Sequence, residues 1–131
     1  MPAAERLVRF SLGNMIFEYD AEKNRKNIEK HGISFQNAAR VFFDYDRIEF
    51  FDDEHSAGED RYNTIGDTSA GSMVTIGNLN NSAKTVNDIL FVVYTDRVIA
   101  SEQGKEVEVT RLISARLATN FERGIYYGKY S

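Results

Sequence analysis

The run of apolar residues at 89–94 constrains the fold more than any other feature of this sequence. Its six residues, Ile-Leu-Phe-Val-Val-Tyr, put apolar side chains on both faces of a strand, which is typical of a strand at the centre of a sheet. Aromatic and β-branched residues also dominate four further runs, bounded by glycines and asparagines. We therefore predict strands at 47–51, 61–65, 73–76, 89–95 and 107–116, whose short connections favour antiparallel pairing.

Two helices are predicted ahead of most of these strands. A short apolar run at 15–19 ends at Asp20, whose side chain suits a helix N-cap, and a helix is expected over residues 21–31. Gly32 suits the left-handed conformation that closes a helix, and Ser34 can cap a second one. The apolar residues of that second helix recur at helical spacing and form a core-facing stripe, namely Phe35, Ala38, Ala39 and Phe42.

A third helix is predicted near the C-terminus. The sequence Thr-Asn-Phe-Glu at 119–122 is a capping box, in which Thr119 and Glu122 satisfy each other's backbone N–H groups.

The length of 131 residues fits one domain over 1–131. The predicted fold class is α+β, a small antiparallel β-sheet with two N-terminal helices and one C-terminal helix packed on it.

The side chains that the chain lacks exclude several functions. It has no cysteine, which excludes disulfides, thiolate zinc sites and a cysteine nucleophile. Its two histidines are far apart and its aspartates lack EF-hand spacing, so we expect neither a metal nor another cofactor. No stretch approaches the roughly 20 apolar residues that cross a bilayer, and a cytoplasmic location is expected.

Charge is unevenly distributed along the chain. The formal net charge is −4, which argues against a protein that binds polyanions. Residues 44–60, however, hold eight acidic side chains and a single arginine, so the rest of the chain is mildly basic. Positive charge is concentrated in the first predicted helix and near the C-terminus, although solvated helix faces also explain such blocks.

Several blocks of sequence together resemble the BrnT family, the toxin halves of bacterial type II toxin-antitoxin pairs. Lys-His-Gly at 30–32 and Ile-Ser-Ala-Arg at 113–116 are the more specific of these blocks. The resemblance runs from about residue 15 to residue 127, with the blocks in the family's order. The other matching segments are 17–20, 33–35, 38–39, 41–42, 55–61, 93–95, 111–112, 118–119 and Glu122.

The resemblance implies a RelE-like microbial ribonuclease fold and an RNA-cleaving activity that stops translation. It also implies a partner, a small BrnA-like antitoxin with a ribbon-helix-helix domain, through which DNA is reached only indirectly. The chain departs from the family at three places: an N-terminal extension over 1–14, an enlarged hairpin or insertion over 67–88, and residues 98–106 in place of a tighter turn. If these segments lie beside the substrate, RNA access or antitoxin docking differs from the family.

Metal-free RNA cleavage needs a base, a proton donor to the leaving 5′ oxygen, and cations for the charge that builds on the phosphoryl oxygens. Arg61, Arg111 and Arg116 lie on or beside predicted strands, and the planar guanidinium suits phosphate oxygens. An odd number of residues separates Arg111 from Arg116, so an unbroken strand sends them to opposite faces unless a bulge intervenes.

Each of the two later arginines also has a structural interpretation. On a regular strand Arg111 shares a face with the apolar residues Val107, Val109, Ile113 and Ala115. A charge in such surroundings requires a partner, either a ligand or a carboxylate such as Glu59 or Glu122. Arg116 is equally suited to an ion pair that anchors the C-terminal helix.

Proton transfer has four candidates. His31 titrates near neutrality, although its place at a helix end also suits an interaction with the last carbonyls. Glu59 is two residues from Arg61 and serves as base or as the partner of that arginine. Tyr94 donates a proton, stacks on a base or packs in the core, and His55 is a weaker candidate in an acidic loop. Lys23, Lys26 and Lys30 are predicted to contact the RNA backbone.

The leading hypothesis is a metal-independent endoribonuclease toxin. The alternative is a non-catalytic interaction module of the same fold that binds an antitoxin-like partner or nucleic acid, and a third possibility is a hydrolase of another phosphodiester. The position of the acidic segment 44–60 discriminates between the first two. If this segment lies away from the basic residues, one face is left for RNA and another for a basic partner. If it folds across the basic residues, it neutralises their charge and favours the non-catalytic module.

Overall fold

The computed structural model describes residues 6–71 and 88–128, which form six strands and three α-helices. The strands are β1 (Leu7–Leu12), β2 (Met15–Asp20), β3 (Ile48–Phe51), β4 (Tyr62–Asp67), β5 (Ile89–Ala100) and β6 (Glu106–Leu117). The α-helices are α1 (Ala21–His31), α2 (Phe35–Ala38) and α3 (Asn120–Tyr126), and 3₁₀ helices occupy Ala39–Phe43, Asp53–His55 and Thr68–Gly71. The strand predicted at 73–76 and most of the segment 67–88 lie outside the described residues.

The six strands form one mixed sheet in the order β1-β2-β6-β5-β4-β3. The predicted central strand is confirmed, because β5 lies between β4 and β6. The prediction of a wholly antiparallel sheet is wrong at one pairing, since β2 runs parallel to β6. Short connections do favour antiparallel neighbours, but β2 and β6 are joined through most of the chain, so no tight turn fixes their direction.

The N-terminal residues form a strand of the sheet, which the sequence analysis did not assign. β1 pairs with β2 along its whole length, from Leu7 opposite Asp20 to Leu12 opposite Met15. Phe10 and Leu12 are buried in the core. The segment 7–12 therefore supplies an edge strand and part of the core.

The predicted helix caps are confirmed. The Asp20 side chain accepts a hydrogen bond from the Lys23 N–H, Gly32 closes α1 at a φ of 72°, and the Ser34 hydroxyl accepts from the Asn37 N–H. The helix predicted to run through Phe42 is α-helical only to Ala38 and continues as a 3₁₀ helix.

The tighter 3₁₀ helix brings its backbone close to β4. A Cβ placed on Gly66 would lie 3.0 Å from the Cβ of Val41, so the close approach requires glycine. The predicted apolar stripe is buried along its whole length: Phe35, Ala38, Ala39 and Phe42.

The helices that follow β2 cover one face of the sheet. The core joins strand residues such as Phe17, Val92 and Leu112 to Phe35 and Phe42 from the helical segment. Side chains alternate between the faces of a strand, so the neighbours of these core residues project from the opposite side. We call the first side the helix-covered face and the second the open face.

No helix among residues 6–71 and 88–128 is long and apolar enough to cross a membrane.

Candidate functional site

Three arginines converge on one buried glutamate on the open face. Glu18 is fully buried, and its Oε2 lies 2.8 Å from Arg111 Nε and 3.1 Å from Arg97 Nη1. Its Oε1 accepts a hydrogen bond from Arg9 Nε at 3.2 Å. Among the described residues, three guanidinium groups thus surround one carboxylate.

The charge state of Glu18 is set by a competition between burial and its arginines. Burial alone raises the pKa of this carboxyl group, but the hydrogen bonds from Arg111 and Arg9 and the charges of Arg111 and Arg97 outweigh it. The pKa therefore lies below its ordinary value. Glu18 is an anion at neutral pH and fixes the arginines that bind it.

The arginines of the cluster belong to a row that crosses the sheet. Thr95 of β5 is opposite Arg111 of β6, Arg111 is opposite Glu18 of β2, and Glu18 is opposite Arg9 of β1. The side chain of Arg111 is 19% exposed, whereas those of Arg97 and Arg9 are 39% and 49% exposed. The open face therefore presents accessible guanidinium groups to solvent.

Arg61 extends the row onto β4. It immediately precedes Tyr62, which faces the helices, so its own side chain projects from the open face. The Thr95 hydroxyl donates to the Asp60 carbonyl at 2.6 Å and holds this segment beside β5. We call Arg9, Arg61, Arg97 and Arg111 the arginine row.

Glu59 is the carboxylate nearest to Arg61. Its Oε1 lies 3.9 Å from Arg61 Nε, and its side chain is 46% exposed. Within the described part of the chain, the buried Nε of Arg61 has no hydrogen-bond acceptor. The pairing of Glu59 with Arg61 therefore does not satisfy this enclosed donor.

The proposed structural partners of Arg111 were wrong. Its carboxylate partner is Glu18, which the sequence analysis did not consider, rather than Glu59 or Glu122. A β-bulge also corrects the expected face of one residue: Ser114 and Leu112 are opposite the consecutive residues Val93 and Tyr94, so Ile113 is the extra residue. Beyond the bulge Ala115 faces the core, opposite Val92, and not the side of Arg111.

Arg116 anchors the C-terminal helix, as its structural interpretation predicts. Its two terminal nitrogens bind the two oxygens of Glu122 at 2.7 and 2.9 Å, and its guanidinium lies 4.3 Å from the ring centroid of Phe91. Glu122 also completes the predicted capping box with Thr119. Hydrogen bonds from Arg116 overcome the effect of burial and lower the pKa of Glu122.

His31 lies near Arg116 rather than near the arginine row. Asn27 holds α1 against the edge of β6, because its amide donates to the Ala115 carbonyl at 2.8 Å and accepts from the Ala115 N–H at 3.2 Å. His31 ends this helix and is partly buried. Burial first, and then the charges of Lys30 and Arg116, lower the pKa of its imidazole.

Five of the six predicted catalytic residues therefore fall into two groups on the open side, and the sixth, Tyr94, belongs to neither group. Arg111 is opposite Thr95 and Arg116 is opposite Phe91, four residues away on β5. At about 3.3 Å per residue, the two positions are about 13 Å apart along the strand. Glu59, Arg61 and Arg111 form the first group, and His31 with Arg116 forms the second.

Tyr94 belongs to neither group, because it projects from the helix-covered face. It is buried between Phe42 and Tyr62, and burial, followed by the charges of Glu49 and Asp96, raises the pKa of its hydroxyl. It lines a cavity of about 590 Å³ that also contains three carboxylates, those of Glu49, Asp96 and Glu108. Arg47 and Arg97 also line this cavity, but the three carboxylates outnumber them, and a net negative charge is unsuited to binding a phosphate.

The lysines predicted to contact RNA are exposed along α1: Lys23, Lys26 and Lys30. The acidic segment 44–60 contains β3, the edge strand at the far side of the sheet from β1. Glu59 reaches the arginine row from this segment. His55 is exposed and contacts Asp52 at 3.0 Å. The acidic segment is thus centred on one edge of the sheet and is not folded across the Glu18 cluster.

Three residues of the site were missed by the sequence analysis: Arg9, Glu18 and Arg97. A signal for one of them exists, because Glu18 interrupts the apolar run 15–19, and a charge within such a run requires partners. The identity of those partners depends on which strands are neighbours.

Among residues 6–71 and 88–128, no three histidine, aspartate or glutamate side chains come together as metal ligands.

The comparison with protein families agrees with the sequence resemblance. No curated protein matches the chain. The sequence model of the family described as "Ribonuclease toxin, BrnT, of type II toxin-antitoxin system" matches residues 19–81, a segment that contains Glu59 and Arg61. Over residues 19–81 the chain is therefore similar to the BrnT family of ribonuclease toxins of type II toxin-antitoxin systems.

Proposed function

We propose that this protein is a toxin, a metal-independent endoribonuclease that binds RNA on the open face of its sheet and arrests translation in the cytoplasm. The observation that carries the proposal is the arginine row. Arg9 and Arg97 share one buried carboxylate with Arg111 and remain 49% and 39% exposed, so they are accessible to an anionic ligand. Arginine binds phosphate oxygens with paired hydrogen bonds, and phosphate contacts position RNA without reading its sequence.

The chemistry follows from Glu59, Arg61 and Arg111. Glu59 takes the proton from a ribose 2′-OH, whose oxygen forms a bond to the adjacent phosphorus while the bond from phosphorus to the 5′ oxygen breaks. Solvent returns a proton to the leaving oxygen, and the products carry a 2′,3′-cyclic phosphate and a 5′-OH. Arg61 and Arg111 donate hydrogen bonds to the phosphoryl oxygens, where negative charge builds in the transition state.

His31 is the alternative base. Its lowered pKa makes the imidazole neutral and able to accept a proton near pH 7, and Arg116 supplies a cation close to it. This second centre requires Arg116 to exchange Glu122 for a phosphate. Glu59 is favoured because Arg61 keeps an unpaired donor beside it.

The fold type and the partner extend the same proposal. We propose a RelE-like arrangement, in which the helices that follow β2 pack on one face of the sheet and substrate binds the other, where Arg116 anchors α3. The partner is a BrnA-like ribbon-helix-helix antitoxin, and the toxin contacts DNA only through it. The acidic β3 edge offers a basic partner a surface distinct from the arginine row.

The test is incubation of the purified protein with RNA in EDTA, with and without ribosomes, followed by analysis of the fragment ends. We expect fragments that carry 2′,3′-cyclic phosphate. Replacement of Arg111 by Ala should reduce the cleavage rate at least about 100-fold, whereas Arg25→Ala, a matched change on the exposed side of α1, should not. Absence of cleavage under every condition contradicts the proposal.

A non-catalytic interaction module is the second candidate function. It is favoured by the ion pairs that Glu18 and Glu122 form with Arg111 and Arg116, which partly neutralise both groups. Induced expression in cells without an antitoxin separates the two functions. A nuclease arrests growth and an inert binding module does not.

A further inference from the structure

A buried amide on the open face lacks a hydrogen-bond partner. Asn63 of β4 is 8% exposed, and its Oδ1 has no donor within hydrogen-bond distance among the described residues. Its register partners are Phe50 in β3 and Val93 in β5. An enclosed acceptor without a donor is destabilising and is rare in folded proteins, unless a ligand supplies the missing N–H.

An exposed aromatic ring lies directly beside this amide. Phe50 is opposite Asn63 in the antiparallel pair β3–β4, so both side chains project from the open face, and Phe50 is 41% exposed. Its ring is held edge-to-face against Phe91, with the centroids 6.0 Å apart. RNA-binding proteins recognise unpaired bases by this combination, stacking on an aromatic side chain and hydrogen bonds to the edge of the base.

The amide and the ring are one step along the strand from the arginine row. Arg61 immediately precedes β4, and Asn63 follows it by two residues, which corresponds to about 6.6 Å along the extended chain on the same face. The enclosed Arg61 Nε also lacks an acceptor among residues 6–71 and 88–128. Two neighbouring polar atoms thus lack hydrogen-bond partners among the described residues: Arg61 Nε lacks an acceptor, and Asn63 Oδ1 lacks a donor.

We propose that Phe50 and Asn63 form a base-binding subsite that selects the nucleotide next to the bound phosphate. The inference rests on the proposed function, because it treats the ligand of the arginine row as RNA. Phe50 stacks on the base, and the Asn63 amide bonds its edge through one acceptor and one donor. An asparagine amide matches the adjacent N6 donor and N7 acceptor of adenine, so the subsite prefers adenine.

The test is binding of 2′-O-methyl hexanucleotides of adenine, cytosine or uracil, measured by fluorescence anisotropy. These probes lack the 2′-OH and are not cleaved, so binding is read separately from catalysis. The wild-type protein should bind the adenine hexamer at least about fivefold more tightly than the uracil hexamer. Asn63→Leu, which keeps the branched shape of the side chain but removes its polar atoms, should bring the two dissociation constants within about twofold.

Two further variants separate recognition from damage to the strand. Thr64→Val changes the next residue of β4, which also has an unpaired buried oxygen but faces the helices, and it should keep the preference for adenine. Phe50→Ala should weaken binding of all three hexamers by about fivefold or more and keep their order.

Equal binding of the hexamers by the wild type, or an unchanged order in Asn63→Leu, overturns the subsite. Cleavage of unmodified RNA is measured in parallel. A protein that discriminates among the hexamers but never cleaves RNA contradicts the proposed reaction and supports the subsite. A protein that cleaves RNA but does not discriminate contradicts the subsite alone.

Discussion

Arg111 and Arg116 project from the same face of β6 although five positions separate them in the sequence. The cause is Ile113, the extra residue of a bulge, which reverses the alternation of side chains between the two arginines. The same bulge sends Ala115 into the core and lets Arg116 reach Glu122. One inserted residue thus determines the face of every side chain from 114 to 117.

The first prediction is that deletion of Ile113 keeps the fold and its cooperative unfolding. Without the extra residue Ser114 follows Leu112 directly, so a regular ladder with β5 leaves Ala115 in the core and Arg116 on the open face. Unfolding in urea, followed by circular dichroism, measures the effect. Ile113→Val keeps the bulge and serves as the control; a deletion variant that does not unfold cooperatively contradicts this account of the register.

The bulge also shows what the sequence allowed us to predict. Caps and apolar periodicity are local signals, so α1, the central strand β5 and the capping box of α3 were predicted correctly. The open face depends on pairing between distant strands: β2 joins β6 in parallel, and this pairing places Glu18 beside Arg111. From the sequence of β6 alone, Arg111 and Arg116 lie on opposite faces of a regular strand or on the same face of a strand with a bulge. Only the pairing with β5 decides between these two arrangements.

The second prediction concerns Glu18, which should make the protein sensitive to acid. Its pKa is lower in the folded state than the ordinary value of 4.5, so its contribution is complete above pH 4.5 and is lost as pH falls through the folded-state pKa. Glu18→Gln should reduce the free energy of unfolding at pH 7 by about 3 kcal/mol, because three arginines lose their shared anion.

Urea denaturation between pH 3 and pH 7 provides the measurement. The loss of stability on acidification should be smaller in Glu18→Gln than in the wild type. Glu22→Gln, which removes an exposed carboxylate paired with Arg25 on α1, serves as the control and should stay close to wild type at pH 7. Identical pH profiles for Glu18→Gln and the wild type would show that Glu18 is not ionised in its arginine cluster.

The third prediction is that the side chain of Asn27 is the main attachment of α1 to strand β6. Its amide donates to the Ala115 and Ile33 carbonyls and accepts from the Ala115 N–H. Asn27→Ala should cost about 2–3 kcal/mol, since buried backbone groups lose their partners, even though alanine is the better helix former. Lys26→Ala, at the exposed neighbouring position, should leave the unfolding midpoint in urea nearly unchanged.

The fourth prediction is that His31 titrates below its ordinary pKa of 6.5. Burial is the leading cause, and the charges of Lys30 and Arg116 add to it. Because the unfolded chain takes up this proton more readily, the contribution of His31 to stability is present above pH 6.5 and is lost as pH falls through the lower folded-state pKa. An NMR titration of the imidazole signals gives the midpoint directly, and the His55→Ala variant assigns them.

Arg116→Ala should move the His31 midpoint upward, because it removes one of the two positive charges that oppose protonation. The midpoint should still lie below 6.5, because burial remains. Arg123→Ala removes a charge from the same helix that Arg116 anchors, but Arg123 contacts Asp88 and should leave the midpoint unchanged. An identical midpoint in Arg116→Ala would separate His31 from Arg116 and remove the basis for a second proton-transfer centre, leaving Glu59 beside Arg61 as the base.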